Sequence, residues 1–532
     1  MYSDKENANS LTAMLIAAGI RDIVVCPGSR NAVLAHNFHE AARLHGCFRL
    51  HSVVDERSAS FFAIGIWLAT RKPVVVCVTS GSALLNTLPG VAEAYYRQVP
   101  LVIISADRPA RWIGQLDGQT IVQPGALQPY ARCIQMDSKL TADDVPTYNP
   151  LMPLHINVPI EEPLFNFTTA ELPVPEFSFF EQQTESSGLS AKLDEAAAII
   201  NQAKLPAVVI GQYEGEAIDS LIELDKQDKL LLLPEIISNH PGAERTAWIE
   251  SAKAEGIAMP DVVVHVGGAL VNKWLKIKLR QQESLKVIRV DKTDEAPDTF
   301  SHLEMKVKCD EKAFFDALLP LIVRHQAVAE FKNQVAEHKP APSSAEEIAM
   351  AYLWDKISGM SPCDTTIFLG NSTAVRMAAR LFKSGSVPMF CNRGINGIEG
   401  SVSVAAGYSA VTKRDVYTIV GDLSFFYDVN ALWNRSLRNN LRILMFNDHK
   451  GGIFSRLPGL AASPALDDFI AARHNANARG IAMSYGCSYQ AVRSEQEFRN
   501  ALEDFTGKNH DNTDKPKILE YDTDLEQDQR LQ

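Results

Sequence analysis

The chain has 532 residues, 46% of them hydrophobic and 22% charged, an ordinary soluble composition on a chain too long for one hydrophobic core. With 52 basic against 64 acidic residues the formal net charge is −12, which argues against nucleic acid as the main partner and requires any anion site to be built locally. No uninterrupted apolar run reaches the roughly 18 residues of a membrane span, and the polar start MYSDKENANS is unlike a secretory signal. Eight cysteines without a CxxC spacing fit reduced thiols in a cytoplasm rather than a zinc site or disulfide frame.

From about residue 8 to 165, helical and strand patterns alternate. LTAMLIAAG predicts a helix, and DIVVCPGS, VVVCVTSG, LVIISADRP and LHINVP predict buried strands that each close in turn chemistry, the pattern of a parallel α/β sheet. His51 to Val54 reads as a further strand and Ser58 to Thr70 as an apolar helix, which leaves Glu56 at their junction. A polar stretch from Glu171 to Ser187 reads as a linker. PAVVIGQ, DVVVHVGG and KVIRVD predict a second α/β unit ending near Val323; no intact G-x-G-x-x-G opens a helix there, which argues against a dinucleotide site. Ala327 to Glu347 reads as a charged, loosely helical second linker. In the last part VYTIV, LRILMF and KILEYD predict strands, with TGKNHDNTDKP as a surface loop. The expected architecture is α/β, with three doubly wound parallel-sheet domains at residues 1–170, 188–325 and 346–532.

The third segment carries the most specific chemistry. The strand from Val416 to Val420 breaks at Gly421, where bare backbone lets a ligand approach, and Asp422 follows at its carboxyl end. Asp428 to Leu437 has apolar residues at helical spacing, and a helix there would aim its N-terminal amides at a diphosphate. The next strand ends at Asn447 and Asp448. Oxygen ligands from neighbouring strand ends, completed by phosphate oxygens, suit an octahedral Mg²⁺.

Asp422 and Asp448, 26 positions apart, resemble the thiamine diphosphate signature, with Leu423 where Gly is usual and Asp448 where Asn is usual. On that resemblance Glu56 is the carboxylate that meets N1′ of the aminopyrimidine, and an apolar setting would raise its pKa. The alternative is an ordinary acidic residue in the first turn of a helix. The three segments resemble the pyrimidine, central and diphosphate domains of the pyruvate-oxidase-like thiamine diphosphate enzymes, whose cofactor lies between two subunits. A homodimer or larger assembly is implied.

CPGSR at 26–30, DER at 55–57, TSGSA at 79–83, SADRP at 105–109, GNS with Arg376, NRGINGIEG at 392–400, GDLS at 421–424 and IFSRLPG at 453–459 together resemble the MenD family. Its members are the 2-succinyl-5-enolpyruvyl-6-hydroxy-3-cyclohexene-1-carboxylate synthases of menaquinone biosynthesis. The resemblance implies a cytoplasmic transferase that uses thiamine diphosphate with Mg²⁺ or Mn²⁺, decarboxylates 2-oxoglutarate and joins the remainder to isochorismate by 1,4-addition. Both substrates carry two carboxylates, which arginine binds well.

Carried over residue by residue, the resemblance gives Glu56, Gln119, Ser372, Arg376 and Arg393 catalytic roles. Ser29, Arg30, Arg108 and Lys273 would bind substrate, with Ile453 and Phe454 as an apolar wall over the thiazolium. Ser80, Gly81, Asn392, Gly394, Gly421, Leu423 and Ser424 would hold the cofactor. Ile398 would prop it into a bent form, or else be a core residue. Asp422, Asp448 and the Lys450 carbonyl would hold the metal. Gly118 stands where Asn is frequent. Two other readings stay open: another thiamine diphosphate-dependent 2-oxo acid decarboxylase or carboligase, and a catalytically silent subunit with the cofactor fold.

Overall fold

Strands covered by helices on both faces need near-continuous apolar sequence, and the chain gathers its apolar runs into three such sheets. In the computed structural model, residues 1–139, 151–174, 189–336, 341–361, 363–457, 459–507 and 514–523 are described. The first sheet contains β1 (Asp22–Val25), β2 (Arg49–Ser52), β3 (Val74–Val78), β4 (Leu101–Asp107), β5 (Arg132–Gln135) and β6 (Leu154–Pro159), in the order β2-β1-β3-β4-β6-β5. The second contains β7 (Pro206–Ile210), β8 (Leu231–Pro234), β9 (Val262–Val266), β10 (Lys286–Asp291) and β11 (Leu303–Lys308), in the order β11-β10-β9-β7-β8. The third contains β12 (Thr365–Leu369), β13 (Met389–Cys391), β14 (Asp415–Gly421), β15 (Leu441–Asn447), β16 (Ser488–Val492) and β17 (Lys517–Asp522), in the order β13-β12-β14-β15-β17-β16.

Among the described residues every strand pairing within the three sheets is parallel. The first and third sheets share one topology, so both reverse direction between their first and third strands, and ligands of such sheets bind at the carboxyl ends beside that reversal. The strands that the sequence pattern does not single out, β5, β8, β11, β13 and β16, all lie at sheet edges, where short runs blur the pattern. β12 is the central exception, with two threonines among five residues.

Three local expectations change. The helix expected over Asp428–Leu437 instead runs over Asp422–Tyr427, and Val429–Leu432 forms a 3₁₀ turn. Asp428 ends the helix because its carboxylate accepts the Ser403 amide at 2.7 Å and the Ser403 hydroxyl at 2.6 Å. The stretch taken as a second linker contains the helix Gln326–Ala336, whose Val328, Phe331 and Val335 bury beside Leu275 and Phe300 of the middle domain. The middle core thus continues past residue 325. The helix expected from Ser58 begins at Glu56, capped by the Asp55 carboxylate on the amides of Arg57 and Ser58. Residues 175–187 of the first linker and 508–513 of the late loop lie outside the described residues.

The first and third domains share one core. The helix Glu56–Thr70 crosses Ser401–Val411, with Phe61, Phe62, Val404 and Ala405 all in the same cluster and Ser58 Oγ 2.8 Å from Ser403 Oγ. Backbones meet at this crossing: a Cβ at Gly65 would collide with the Val404 carbonyl, and one at Gly407 with the Phe62 carbonyl. A glycine inside a helix costs about 1 kcal/mol in propensity, and overpacking a dense contact costs about 1–3 kcal/mol; with rigid backbone as the obstacle, the second effect wins. Gly65→Ala is therefore expected to lower unfolding stability by about 2 kcal/mol in a denaturant titration. Gly480→Ala, in the helix Arg479–Tyr485 with no atom within 4 Å of its Cβ, is expected to leave stability unchanged or raise it.

Candidate active site

Gly421 closes β14 opposite Phe446 of β15, and a Cβ added there would meet nothing within 4 Å, so backbone borders open space. Asp422 follows, 3% exposed. Its Oδ1 accepts the Leu423 amide at 2.6 Å, whereas its buried Oδ2 has no hydrogen-bond partner. His474 Nε2 lies 3.2 Å from that oxygen but is itself unbonded, a short contact without hydrogen-bond alignment. Asp448 is its neighbour across the strand ends. Burial pushes the Asp422 carboxyl up to about 6; burial and then the Asp422 charge push Asp448 up to about 7.

The Lys450 amide reaches Asp448 Oδ1 at 3.4 Å, which draws the chain around the pair. Asn447 belongs to the frame: its Nδ2 donates to Glu520 Oε1 at 2.7 Å and to the Ala476 carbonyl at 3.0 Å. Two apposed carboxylates, one with an orphaned oxygen, form a cradle whose oxygens could hold a hard divalent cation such as Mg²⁺. Among the described residues no set of three or more His, Cys, Asp or Glu groups could hold a metal, so the rest of the shell has to come from backbone and ligand oxygens. His449 and His474 flank the cradle with rings 5.8 Å apart; the sequence places His449 next to Asp448 but gives no sign of His474. His474 lies 26 residues beyond Asp448 in a polar loop without periodicity, and only the fold brings it to Asp422.

In the first domain the expected residues gather at the carboxyl ends of β1 to β4. Ser80 Oγ donates to the Gln119 carbonyl at 2.9 Å and Gln119 Nε2 donates to the Ser80 carbonyl at 2.7 Å. The Gly81 amide donates to Gln123 Oε1 at 2.7 Å. Arg108 Nη1 pairs with Asp117 at 2.8 Å, and its Nη2 sits 2.7 Å from where a Gly118 Cβ would be, at φ +62°. Glycine in place of asparagine thus makes room for this guanidinium. Ser29 is exposed beside Arg30. Arg30 is buried and already engaged, donating to the Ile160 carbonyl and to Glu162 Oε1, both at 3.0 Å. Glu56 is half-buried, with Asn86 Nδ2 3.5 Å from its Oε2.

The third domain supplies the remaining cations. Ser372, after β12, holds φ 71° and ψ −112°, a costly conformation for a residue with a side chain and one that marks functional turns. Its neighbour Asn371 donates to the carbonyls of Asn392 at 2.5 Å and Gly397 at 2.6 Å and accepts from Arg393 Nη1 at 3.1 Å. Asn392 Oδ1 accepts from Arg97 at 3.1 Å, and the Gly394 amide donates to Glu93 at 3.0 Å, so both are tied to the first domain of the same chain. Ile398 is 38% exposed, which removes the core-residue alternative. Ser424 is buried behind the cradle, while Leu423 and the Phe454 ring close over Gly451.

A cavity of about 660 Å³ lies between the third and middle domains, lined by Arg376, Met377 and Ile453 on one side and Glu235, Glu250 and Asn272 on the other. Burial, then Arg393, lowers the Arg376 pKa. Lys273 is not in that wall: it is exposed, with Nζ 6.0 Å from the Trp274 ring centre. Lys276, one turn further and missed in the sequence, is the lysine in electrostatic reach of Arg393 and Arg376.

Fold and cradle together define an enzyme of the thiamine diphosphate type. Residues 6–128 match the family described as "Thiamine pyrophosphate enzyme, N-terminal TPP binding domain" and residues 370–520 its C-terminal TPP binding domain counterpart. A putative thiamin diphosphate-dependent enzyme from Mycobacterium smegmatis shares the fold, with a TM-score of 0.72 at 17% identity over 98% of this chain and 100% of that one. Benzoylformate decarboxylase from Polynucleobacter necessarius does so at 0.74 and 18%, over 98% and 99%. The 2-succinyl-5-enolpyruvyl-6-hydroxy-3-cyclohexene-1-carboxylate synthase of Phocaeicola vulgatus is 36% identical over 100% of this chain and 98% of its own. That of Desulfotalea psychrophila is 32% identical over 98% of both. The chain belongs to this synthase family.

The carboxylate pair has a consequence for the metal-free protein. Both pKa values are raised above the ordinary unfolded range near 4, so the pair's contribution to stability is present below that range and lost as pH rises through about 6 and about 7. Asp448→Asn is expected to flatten this fall in thermal melts recorded with EDTA between pH 5 and 8. Asp422→Ala is expected to abolish the melting shift that thiamine diphosphate with Mg²⁺ produces; an undiminished shift would remove Asp422 from the cradle.

Proposed function

We propose that this protein joins 2-oxoglutarate to isochorismate, releasing CO₂ and forming 2-succinyl-5-enolpyruvyl-6-hydroxy-3-cyclohexene-1-carboxylate. The observation that carries this reading is the cavity that Arg376 and Ile453 line together, because Ile453 lies three residues after Lys450 and links a cationic wall to the carboxylate cradle. In this reading Asp422, Asp448 and the Lys450 carbonyl hold Mg²⁺ or Mn²⁺, beside the open backbone of Gly421. Bound thiamine diphosphate supplies the electron sink for decarboxylation.

Glu56 holds a proton at N1′ of the aminopyrimidine, and Gln119, locked to Ser80, presents a fixed polar surface beside it. Arg376 and Arg393 orient the carboxylates of both substrates, with Ser372 at the strained turn that opens the helix carrying Arg376. Arg108 and Arg30, with Ser29, extend the cationic rim. Ile453, Phe454 and Leu423 exclude water, which favours carbon–carbon bond formation over protonation of the reacting carbon.

We take the working protein to be a cytoplasmic homodimer or larger assembly with sites between subunits. Support comes from exposed apolar side chains around both half-sites: Leu116 is 98% exposed near Gln119, and Phe469 is 85% exposed beyond Phe454.

Purified protein is expected to consume isochorismate only when thiamine diphosphate, Mg²⁺ and 2-oxoglutarate are all present. CO₂ released from 2-oxoglutarate while isochorismate persists would assign another acceptor. Glu56→Gln is expected to lower kcat by about 100-fold or more without moving the melting temperature; near-normal turnover would remove it from the proton relay.

A further inference from the structure

A buried carboxylate of the middle domain forms part of the cavity wall and has no role in the reading above. Glu235 follows β8 and is 1% exposed. Its Oε1 accepts the Asn272 amide at 2.8 Å, and the Val271 amide also bonds this carboxylate. The same segment is gripped from the opposite side, where the Leu270 carbonyl accepts from Arg393 Nη2 at 2.9 Å. Asn272 goes on to cap the next helix at the Leu275 amide, 2.8 Å away, and its Nδ2 donates to the Thr246 carbonyl at 2.5 Å. Glu250 accepts the Trp274 amide at 3.0 Å. Leu270–Asn272 is therefore a short, fully bonded bridge with Glu235 at one end and Arg393 at the other.

We propose that Glu235 is a positioning residue for substrate binding: it fixes Leu270–Asn272 so that the Leu270 carbonyl holds the Arg393 guanidinium in place beside Arg376. This rests on the reading of Arg393 and Arg376 as carboxylate-binding residues. Glu235 itself meets no reacting atom and acts through the backbone. Burial pushes its carboxyl up to about 7, opposed by the two amides and the Arg393 charge. The middle domain, which holds neither Glu56 nor the metal cradle, acquires a function through this contact. Small displacements of a group that orients substrate are costly in rate or affinity.

The test uses the full chain loaded with thiamine diphosphate and Mg²⁺. Glu235→Ala is expected to raise KM for a dicarboxylate substrate about tenfold while kcat changes by less than about threefold, the pattern of lost binding rather than lost chemistry. Glu235→Gln, which keeps an oxygen for the amides, is expected to fall between wild type and Ala. Adding Arg393→Ala to Glu235→Ala is expected to raise KM by less than about twofold over Arg393→Ala alone, because coupled residues are not additive. Unchanged KM in Glu235→Ala, or effects of the two substitutions that simply multiply, would overturn the proposal. If Glu235→Ala does not fold, Glu235→Asp decides, since it draws the carboxylate back by one methylene: raised KM supports the positioning role and unchanged KM refutes it. Wild-type protein with no turnover would remove the functional reading and this proposal together, whereas normal wild-type turnover makes the variants a test of positioning alone.

Discussion

Two carboxylates that face each other in a buried cradle are the constraint around which the third domain is arranged. Like charges a few ångströms apart in protein repel by several kcal/mol unless a cation or a proton intervenes. In the metal-free protein burial raises both carboxyl pKa values, and the Asp422 charge raises Asp448 further, so the protonated forms are favoured. The surrounding structure fixes the pair rather than relieving it. Asn447 latches the end of β15 to Glu520, Asp428 stops the helix that begins at Asp422 by bonding Ser403, and Gly421 leaves the space beside Asp422 clear. In the proposed reading a divalent cation would turn the mutual repulsion into coordination.

The second constraint is the packing of the first domain, which carries Glu56, on the third domain of the same chain. The glycine-lined crossing of Glu56–Thr70 with Ser401–Val411 provides it, since Glu56 opens one helix and Asp428 anchors to Ser403 of the other. Buried polar ties reinforce the contact: Glu93 accepts the amides of Gly394 and Ile395, and Arg97 reaches Asn392. The middle domain adds the far wall of the cavity, opposite residues of the third domain.

Much of this was legible in the sequence because it is local. Strands buried on both faces, such as VVVCV and LRILMF, announce themselves by composition, and Gly421-Asp422 and Asp448 stand at strand ends where ligands bind. Edge strands such as Arg132–Gln135 carry too few apolar positions to stand out. The apolar spacing after Asp428 suggested a helix because spacing does not register a side chain captured by a distant serine. His474, Lys276 and Glu235 depend on contacts between segments far apart in the chain and have no local signature. Gly118, a departure from the family pattern in the sequence, is explained only by where Arg108 lies.

The most direct test of the central claim is the position of Mn²⁺ in crystals grown with Mn²⁺ and thiamine diphosphate, located by its anomalous scattering. The expected result is one strong site directly coordinated by oxygens of Asp422 and Asp448 and the Lys450 carbonyl. A site that leaves out either aspartate, or bound cofactor with no metal between them, would contradict the account.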